Sequence, residues 1–333
     1  MPQYSQANRP LRVETVLGAN VLLLESFSGQ EGVSMPYSYT LDLASPDPAL
    51  AAADLLRSPA AIKLQLPDGK DRTIHGLFSK FVQRGQADDL TFYRAELVPW
   101  LWFLSLSTDC RIFQEMTVLE IVEQVFRDQG YSDFKIKCVR SYPVREYCVQ
   151  YRETHLNFVS RLLEEEGIFY FFEHSGDKHV LVLTDDNTSI KPCPSQATAR
   201  VMAMAGAQQE EDVVTMVESE HAVYPGKVTL GDYDYLQPRL RLESTAAGNG
   251  REELYEYPAR YAQLADGERL ARTRLEEQEA WQQVVRGEGT CRAFQSGYRF
   301  ELKEHYRRDA NQAYHLVRVM HAASVGGYRA GAN

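Results

Sequence analysis

The sequence predicts a mainly β fold with an α+β insert: two β-barrel-like domains and a smaller α+β domain between them. Three observations predict it. Residues 11–104 hold a dense run of short alternating segments separated by turn signals, the pattern of a small closed antiparallel barrel. Residues 151–173, YRETHLNFVSRLLEEEGIFYFFE, write a strand end, a short helix and a buried strand without a gap. From residue 213 the β pattern resumes and runs to residue 321. The 333 residues are thereby expected to divide into a first barrel domain at 10–107, an α+β domain at 108–190, a linker at 191–212, a second barrel domain at 213–325 and a tail at 326–333.

The first domain opens on a predicted hairpin over residues 11–32, with Gly18, Ala19 and Asn20 in the turn. Residues 37–43 alternate apolar and polar side chains, which predicts a half-buried strand. The Ala- and Leu-rich stretch 50–57 predicts a short helix closed by Pro59. Residues 62–66 are another strand, followed by a turn at Pro67, Asp68 and Gly69. The long pair 73–84 and 91–104 completes the domain. His75-Gly76 lies inside the first of these strands, where glycine predicts a bulge or a tight barrel bend.

In the α+β domain, Val118, Ile121, Val122, Val125 and Phe126 share one helical face over residues 118–129, and Gly130 ends the helix. Strands are expected at 134–139 and 148–151. The next helix has Thr154 as N-cap, with Leu156, Phe158, Val159, Leu162 and Leu163 on its inner side and Gly167 as the left-handed residue that stops it. Ile168 to Phe172 is an unbroken β-branched and aromatic run, so both faces of that strand should be covered. It pairs with 179–183 across the turn at Ser175, Gly176 and Asp177. Glu164, Glu165 and Glu166 stand at the helix C-terminus, where the macrodipole disfavours each negative charge by about a few tenths of a kcal/mol. Either they form a solvated acidic turn, or one is held by an arginine from elsewhere; Arg152 and Arg161 are the nearest in sequence.

Residues 187–209 are rich in Ala, Ser, Gln and Pro without period and read as a surface linker. In the second barrel domain, strands are expected at 213–219, 225–235 and 236–243, then a loop at 246–253 closed by Tyr255, Glu256, Tyr257 and Pro258. A charged helix at 266–282 and strands at 284–292, 298–302 and 314–321 follow.

A net charge of −10 argues against a nucleic-acid partner, which needs a basic face to displace counterions. The longest apolar runs are far too short to span a bilayer, and no apolar leader follows a basic start. No stable membrane anchor is expected. The sequence predicts a chain made in the cytoplasm, so that any export uses no cleavable leader. Five dispersed cysteines with no CxxC pair predict reduced thiols.

Catalytic signatures are lacking. No HExxH, no Cys/His ligand spacing, no GxSxG, no P-loop and no dinucleotide fingerprint occurs. His174 and His179 flank a hairpin turn, and the reading that favours them and the other histidines as structural outweighs a metal site. Gly287-Glu288-Gly289 lacks the third glycine and the helix that phosphate binding needs. No catalytic residue, metal or cofactor is assigned. Trp100 and Trp102, with Phe103 and Phe113, are read as core rather than interface.

SRLLEEEGIFYFFEH at 160–174 resembles the signature of the VgrG family, the spike proteins of bacterial type VI secretion systems, whose N-terminal part is similar to the baseplate hub of contractile-tailed phages. The resemblance extends over most of the chain. It runs through WLWFL at 100–104 with DCRIFQ at 109–114, VQYRET at 149–154, GDYDY at 231–235 with Pro238, Tyr257-Pro258 with Glu268 and Arg272, and GYRFEL at 297–302 before YHLV at 314–317. Tyr151, Phe158, Arg161, Leu162, Glu165, Gly167, Asp232 and Tyr233 carry this signature as structural residues. The resemblance implies a fold like the phage tail hub and a non-enzymatic job: a homotrimeric adaptor that joins the sixfold Hcp tube to a C-terminal spike, contacts baseplate proteins and effectors, and is exported with them. Family members continue into an OB-like domain and a triple-stranded β-helix needle that are absent from these 333 residues; either the sequence is part of a longer chain or the natural product is short. The alternatives are a prophage tail hub, a peptidoglycan-active enzyme and a carbohydrate-binding module that would use the tyrosines.

Overall fold

A computed structural model describes residues 4–202 and 211–328, which fall into two compact units. The first unit holds residues up to 164, 168–213 and 290 onward; the second holds 165–167 and 214–289. The second unit is thus an insertion in the sequence of the first.

The first unit begins with β1 (Leu11–Thr15), β2 (Leu23–Gly32), β3 (Met35–Ser45), a single helical turn α1 (Ala52–Leu55), β4 (Pro59–Gln65), β5 (Asp71–Ala87) and β6 (Leu90–Val98). After the 3₁₀ segment Trp100–Leu106 come β7 (Thr108–Met116), α2 (Val118–Asp128), β8 (Phe134–Ile136) and β9 (Arg145–Thr154). Then follow α3 (His155–Glu166), β10 (Phe169–His174), β11 (His179–Thr184) and β12 (Thr198–Arg200). The second unit contains β13 (Val214–His221), β14 (Lys227–Asp232), β15 (Leu242–Ala247), β16 (Glu253–Glu256), α4 (Leu264–Glu279) and β17 (Gln283–Gly289). The chain returns to the first unit with β18 (Arg299–Lys303), β19 (Ala313–His315) and β20 (Arg318–Ser324).

The mainly β class holds, and the largest element is a seven-stranded antiparallel half-barrel in the order β1-β4-β5-β6-β3-β2-β20. Two pairings differ from the expected hairpins. The turn at Gly18 to Asn20 forms, but β1 pairs with β4 (Val13 opposite Ile62) rather than with β2. More consequentially, β20, expected in a second barrel domain ending at 325, pairs along β2 from Ser26↔Ser324 to Gly32↔Arg318. The flanking bonds Val33 N to Val317 O and Val325 N to Glu25 O extend the same ladder at 2.9 Å each. Without β20, β2 would present a long free edge.

Gly76 marks no bulge. Its register with Ala60 is regular, and a Cβ there would lie 2.7 Å from Leu97 Cγ, so close approach to β6 is what requires glycine. The bulges of β5 lie at Phe78/Lys80 and Gln83/Gly85. The aromatic run after Pro99 is a 3₁₀ segment, not the end of a strand: Trp102 N bonds back to Pro99 O, and Trp100 turns inward to pack edge-on against Phe126 and flat on Tyr131 at 4.7 Å. Trp100 is core, as expected, while Trp102 is half-buried.

The local signals of the α+β region are realised. Thr117 and Glu120 make a reciprocal capping box on α2, whose face of Val118, Ile121, Val122, Val125 and Phe126 is buried. Thr154 Oγ1 accepts from Asn157 N at 3.0 Å, and Gly167 takes φ +67° at the end of α3. Strand β10 pairs with β11 from Phe169↔Thr184 to His174↔His179, and β8 adds to β11 in parallel. The expected linker at 191–212 is partly ordered into the fold: β12 pairs in parallel with β18, and Cys193 is buried. Residues 203–210 of that stretch, and 329–333 of the expected tail, lie outside the described residues. Tyr328 in the tail is buried, donates to Leu24 O at 3.2 Å and carries the Arg9 guanidinium over its ring.

A buried polar knot crosses the first unit. Arg72 on β5 pairs with Glu31 on β2, donates to Arg292 O at 2.9 Å and lies 2.6 Å from His321 Nε2 on β20, which also contacts Phe294 O. Burial raises the Glu31 carboxyl above its ordinary value even against the attraction of Arg72.

In the second unit, α4 covers one face of the sheet β15-β14-β16, and Val228, Leu230, Leu242, Ala246, Tyr261, Ala271 and Leu275 form its core. The two-stranded ribbon β13-β17 completes it. The expected strand at 236–243 is instead a loop that enters β15 only at Leu242.

Leu162 is fully buried and Phe171 nearly so. Leu162→Asp or Phe171→Asp should abolish cooperative unfolding in a urea titration, since each buries an unpaired charge at a cost of several kcal/mol. Arg72→Met should lower stability by about 3–5 kcal/mol by leaving Glu31 buried alone. The double variant Glu31→Leu/Arg72→Met should recover most of that loss, read from the same urea midpoints.

Candidate assembly surface

The signature residues of the α+β region are brought together around the junction of β9 and α3, mostly as packing. Phe158 stacks on Phe113 at 5.5 Å and Leu162 lies beside it in the core. Arg161 stacks over the Phe158 ring, makes paired bonds to Glu153 at 2.7 and 3.0 Å, and donates to Val149 O at 2.8 Å. One guanidinium thereby clamps the end of β9 to the helix that follows it. Burial works against the Glu153 charge, but the bonds from Arg161 and Asn157 outweigh it and hold its carboxyl below the ordinary value. Tyr151 alone of this group points outward, 64% exposed, beside the Arg152 guanidinium at 5.2 Å. Arg152 takes φ +52°.

Of the three glutamates at the end of α3, Glu164 is exposed and Glu165 half-buried. Glu166 is buried. Residues 165–167 belong to the second unit, and there Arg269 Nη1 on α4 lies 2.8 Å from Glu166 Oε2. The sharper of the two readings of this acidic turn holds for Glu166, which an arginine far away in the sequence meets. No local signal could have named it, because a hundred residues separate the partners.

Asp232 and Tyr233 sit at the end of β14. Asp232 accepts from the amides of Tyr233 (2.7 Å), Tyr261 (3.3 Å) and Arg260, so it fixes the turn that leads into α4 and is not free for chemistry. Tyr233 is exposed. It borders a shallow groove of about 280 Å³ that includes Gly231, Arg239, Arg241, Tyr255 and Tyr257. Tyr255 and Tyr257 lie over Gly231 on the sheet face opposite α4, and Tyr235 and Leu236, which follow Tyr233 in the chain, are 78% and 75% exposed. Sequence reasoning placed Tyr255 and Tyr257 only in a loop closure. Their two-residue spacing, like that of Tyr233 and Tyr235, was the available signal for a shared face. The ribbon β13-β17 is likewise exposed along most of its length.

Together these features make an exposed aromatic surface beside an exposed ribbon. Among the described residues, no group of three or more His, Cys, Asp or Glu side chains is arranged to hold a metal ion. No helix of the described residues is long and apolar enough to cross a membrane.

Comparison with known proteins decides the family. The sequence profile described as phage tail baseplate hub (GPD) matches residues 30–327. The chain belongs to that family. Within it, this hub chain is 40% identical over 318 residues to the type VI secretion system spike protein VgrG1b of Pseudomonas aeruginosa, covering 94% of the chain and 43% of the relative. It is 39% identical over 320 residues to VgrG1c of the same organism, covering 94% and 44%. The hub chain therefore spans less than half the length of these curated relatives. Among solved structures, the E. coli c3393 protein superposes with a TM-score of 0.72 at 21% identity, covering 94% of the hub chain and 73% of that protein. It is described as a component of the type VI secretion system with structural similarity to the T4 bacteriophage tail proteins gp27 and gp5. The VgrG resemblance read from 160–174 and its companion segments is borne out.

Arg161→Lys should cost the hub chain about 1–2 kcal/mol, because a point charge cannot reproduce the paired bonds to Glu153 and the reach to Val149 O. A urea midpoint unchanged from the parent chain would contradict the clamp.

Proposed function

We propose that this hub chain is the structural core of a type VI secretion spike: a non-enzymatic, homotrimeric adaptor that joins the sixfold Hcp tube to a C-terminal spike. The observation that carries the proposal is the hub profile over residues 30–327, together with spike-protein relatives near 40% identity over the same span. A threefold hub that seats a sixfold tube must present matching patches to each tube subunit. The exposed tyrosines of the second unit and the ribbon β13-β17 are surfaces of the kind such an assembly covers. Aromatic side chains give much contact area for little conformational entropy, which suits an assembly that forms once and is then driven forward as a rigid body. Baseplate proteins and effectors are the further partners of this reading, and the chain travels out of the cell with the tube. The relatives' identity as secretion spike proteins favours this over a prophage tail hub. The signature side chains support it over a peptidoglycan-active enzyme: Asp232, Arg161 and Glu153 are consumed in holding backbone or one another.

Light scattering tests the proposal. The purified chain is expected to run at a mass near three times 37.9 kDa, and to shift further when mixed with rings of the tube protein. A monomer that ignores the rings, with or without a longer C-terminal segment fused to it, would overturn the adaptor reading.

A further inference from the structure

We propose that His75, His174 and His179 form an acid-sensitive latch that holds the β10-β11 hairpin on the first sheet. The three rings meet where β5, the two ends of the hairpin and the start of the 3₁₀ segment converge. His179 Nε2 accepts from Trp100 N at 2.8 Å. His75 Nδ1 and His179 Nδ1 are 2.9 Å apart, and His174 Nδ1 accepts from His75 N at 3.2 Å. Around them pack Tyr37 of β3 and Phe172 of β10, whose rings meet edge-on at 5.0 Å.

These contacts leave one neutral arrangement of protons. Since His179 Nε2 is an acceptor, its proton is on Nδ1, where it is donated to His75 Nδ1. His75 must then carry its own proton on Nε2. His174, accepting at Nδ1, also carries its proton on Nε2. Every remaining lone pair in the cluster is therefore already the acceptor of a bond that ties two elements together. A fourth proton has three places to go, and each breaks one tie: at His179 Nε2 it faces the Trp100 amide, at His75 Nδ1 it faces the His179 N–H, and at His174 Nδ1 it faces the His75 amide. Each also places a positive charge in the core.

The charged groups facing the cluster do not relieve this. Asp177 in the hairpin turn and Asp133 before β8 favour a proton on His75, and Lys63 of β4 opposes it; Arg72 of β5 opposes one on His174. Burial dominates throughout: it lowers His75 and His174 and brings His179 down to about 3. The unfolded chain takes up these protons near the ordinary histidine value of about 6.5. The folded chain does so below it, well below for His174 and at about 3 for His179. Stability from the latch is thus complete above about pH 6.5 and falls as pH drops from there toward the folded values. Each histidine that is neutral when closed and charged when open multiplies the opening equilibrium by about ten per pH unit in that window.

Two measurements on the full chain test this, and neither requires a variant. Nitrogen-15 spectra of the histidines at pH 7.5 should show His179 protonated at Nδ1 and His75 and His174 at Nε2; any other tautomer overturns the latch. Hydrogen exchange, corrected for the chemical rate, should show the opening of β10 and β11 rising at least about tenfold per pH unit below 6.5, while α4 is unaffected. Equal responses in the hairpin and α4, or no response, would also overturn it. His179→Gln keeps an acceptor for Trp100 N and cannot titrate. If it folds, its hairpin should lose about one proton's worth of this pH dependence, and an unchanged slope counts against the latch.

Discussion

The buried contact between Arg72 and Glu31 is the constraint on which the first unit depends. Two opposite charges are taken out of water where neither could stay alone, so the strands that carry them are fixed relative to each other. The other terminal nitrogen of Arg72, Nη1, reaches both Arg292 O and the His321 ring, which brings the returning segment and β20 into the same knot. A hydrophobic sheet would tolerate β20 sliding along β2 by two residues; a guanidinium with fixed partners on three segments does not. The knot contributes specificity of register more than net stability, because desolvation of both charges offsets most of their attraction.

Legibility in the sequence follows the distance over which each interaction acts. The helix α2 was readable because its cap, its apolar face and its stop all lie within fourteen residues, Thr117 to Gly130. The same is true of α3 with Thr154 and Gly167, and of the β10-β11 hairpin. The partners of β1 and β20 were not readable, since alternation states that a strand exists but not which edge it joins. Trp100 to Leu106 was misread for another reason: aromatic richness favours strands on average, but here Pro99 starts a tight turn and Trp100 finds its packing on α2 and Tyr131. Of the signature residues, Phe158 and Leu162 proved to be core and Arg161 a clamp. Tyr255 and Tyr257 were read as a loop closure and not as part of a strand face because strand β16 is only four residues long.

Polar side chains in this molecule are used up by architecture. Asp232 holds three amides, Arg161 a strand end, and His179 the amide of Trp100. Groups that in an enzyme would be left poised toward a cleft are here saturated by backbone. Beside these committed groups the surface exposes aromatic area at Tyr233, Tyr235, Tyr255 and Tyr257.

The pairing of β2 with β20 also sets an order of events during synthesis. A ribosome that has released residues 214–289 has exposed every strand and helix of the second unit apart from three residues already made, so that unit can close while the chain is still growing. The first half-barrel cannot. Its β2 edge waits, unpaired and prone to recruit a neighbouring chain, until Arg318–Ser324 emerges almost three hundred residues later to cover it. A nonsense codon between the end of β2 and residue 318 therefore leaves a product with that edge uncovered, prone to aggregate.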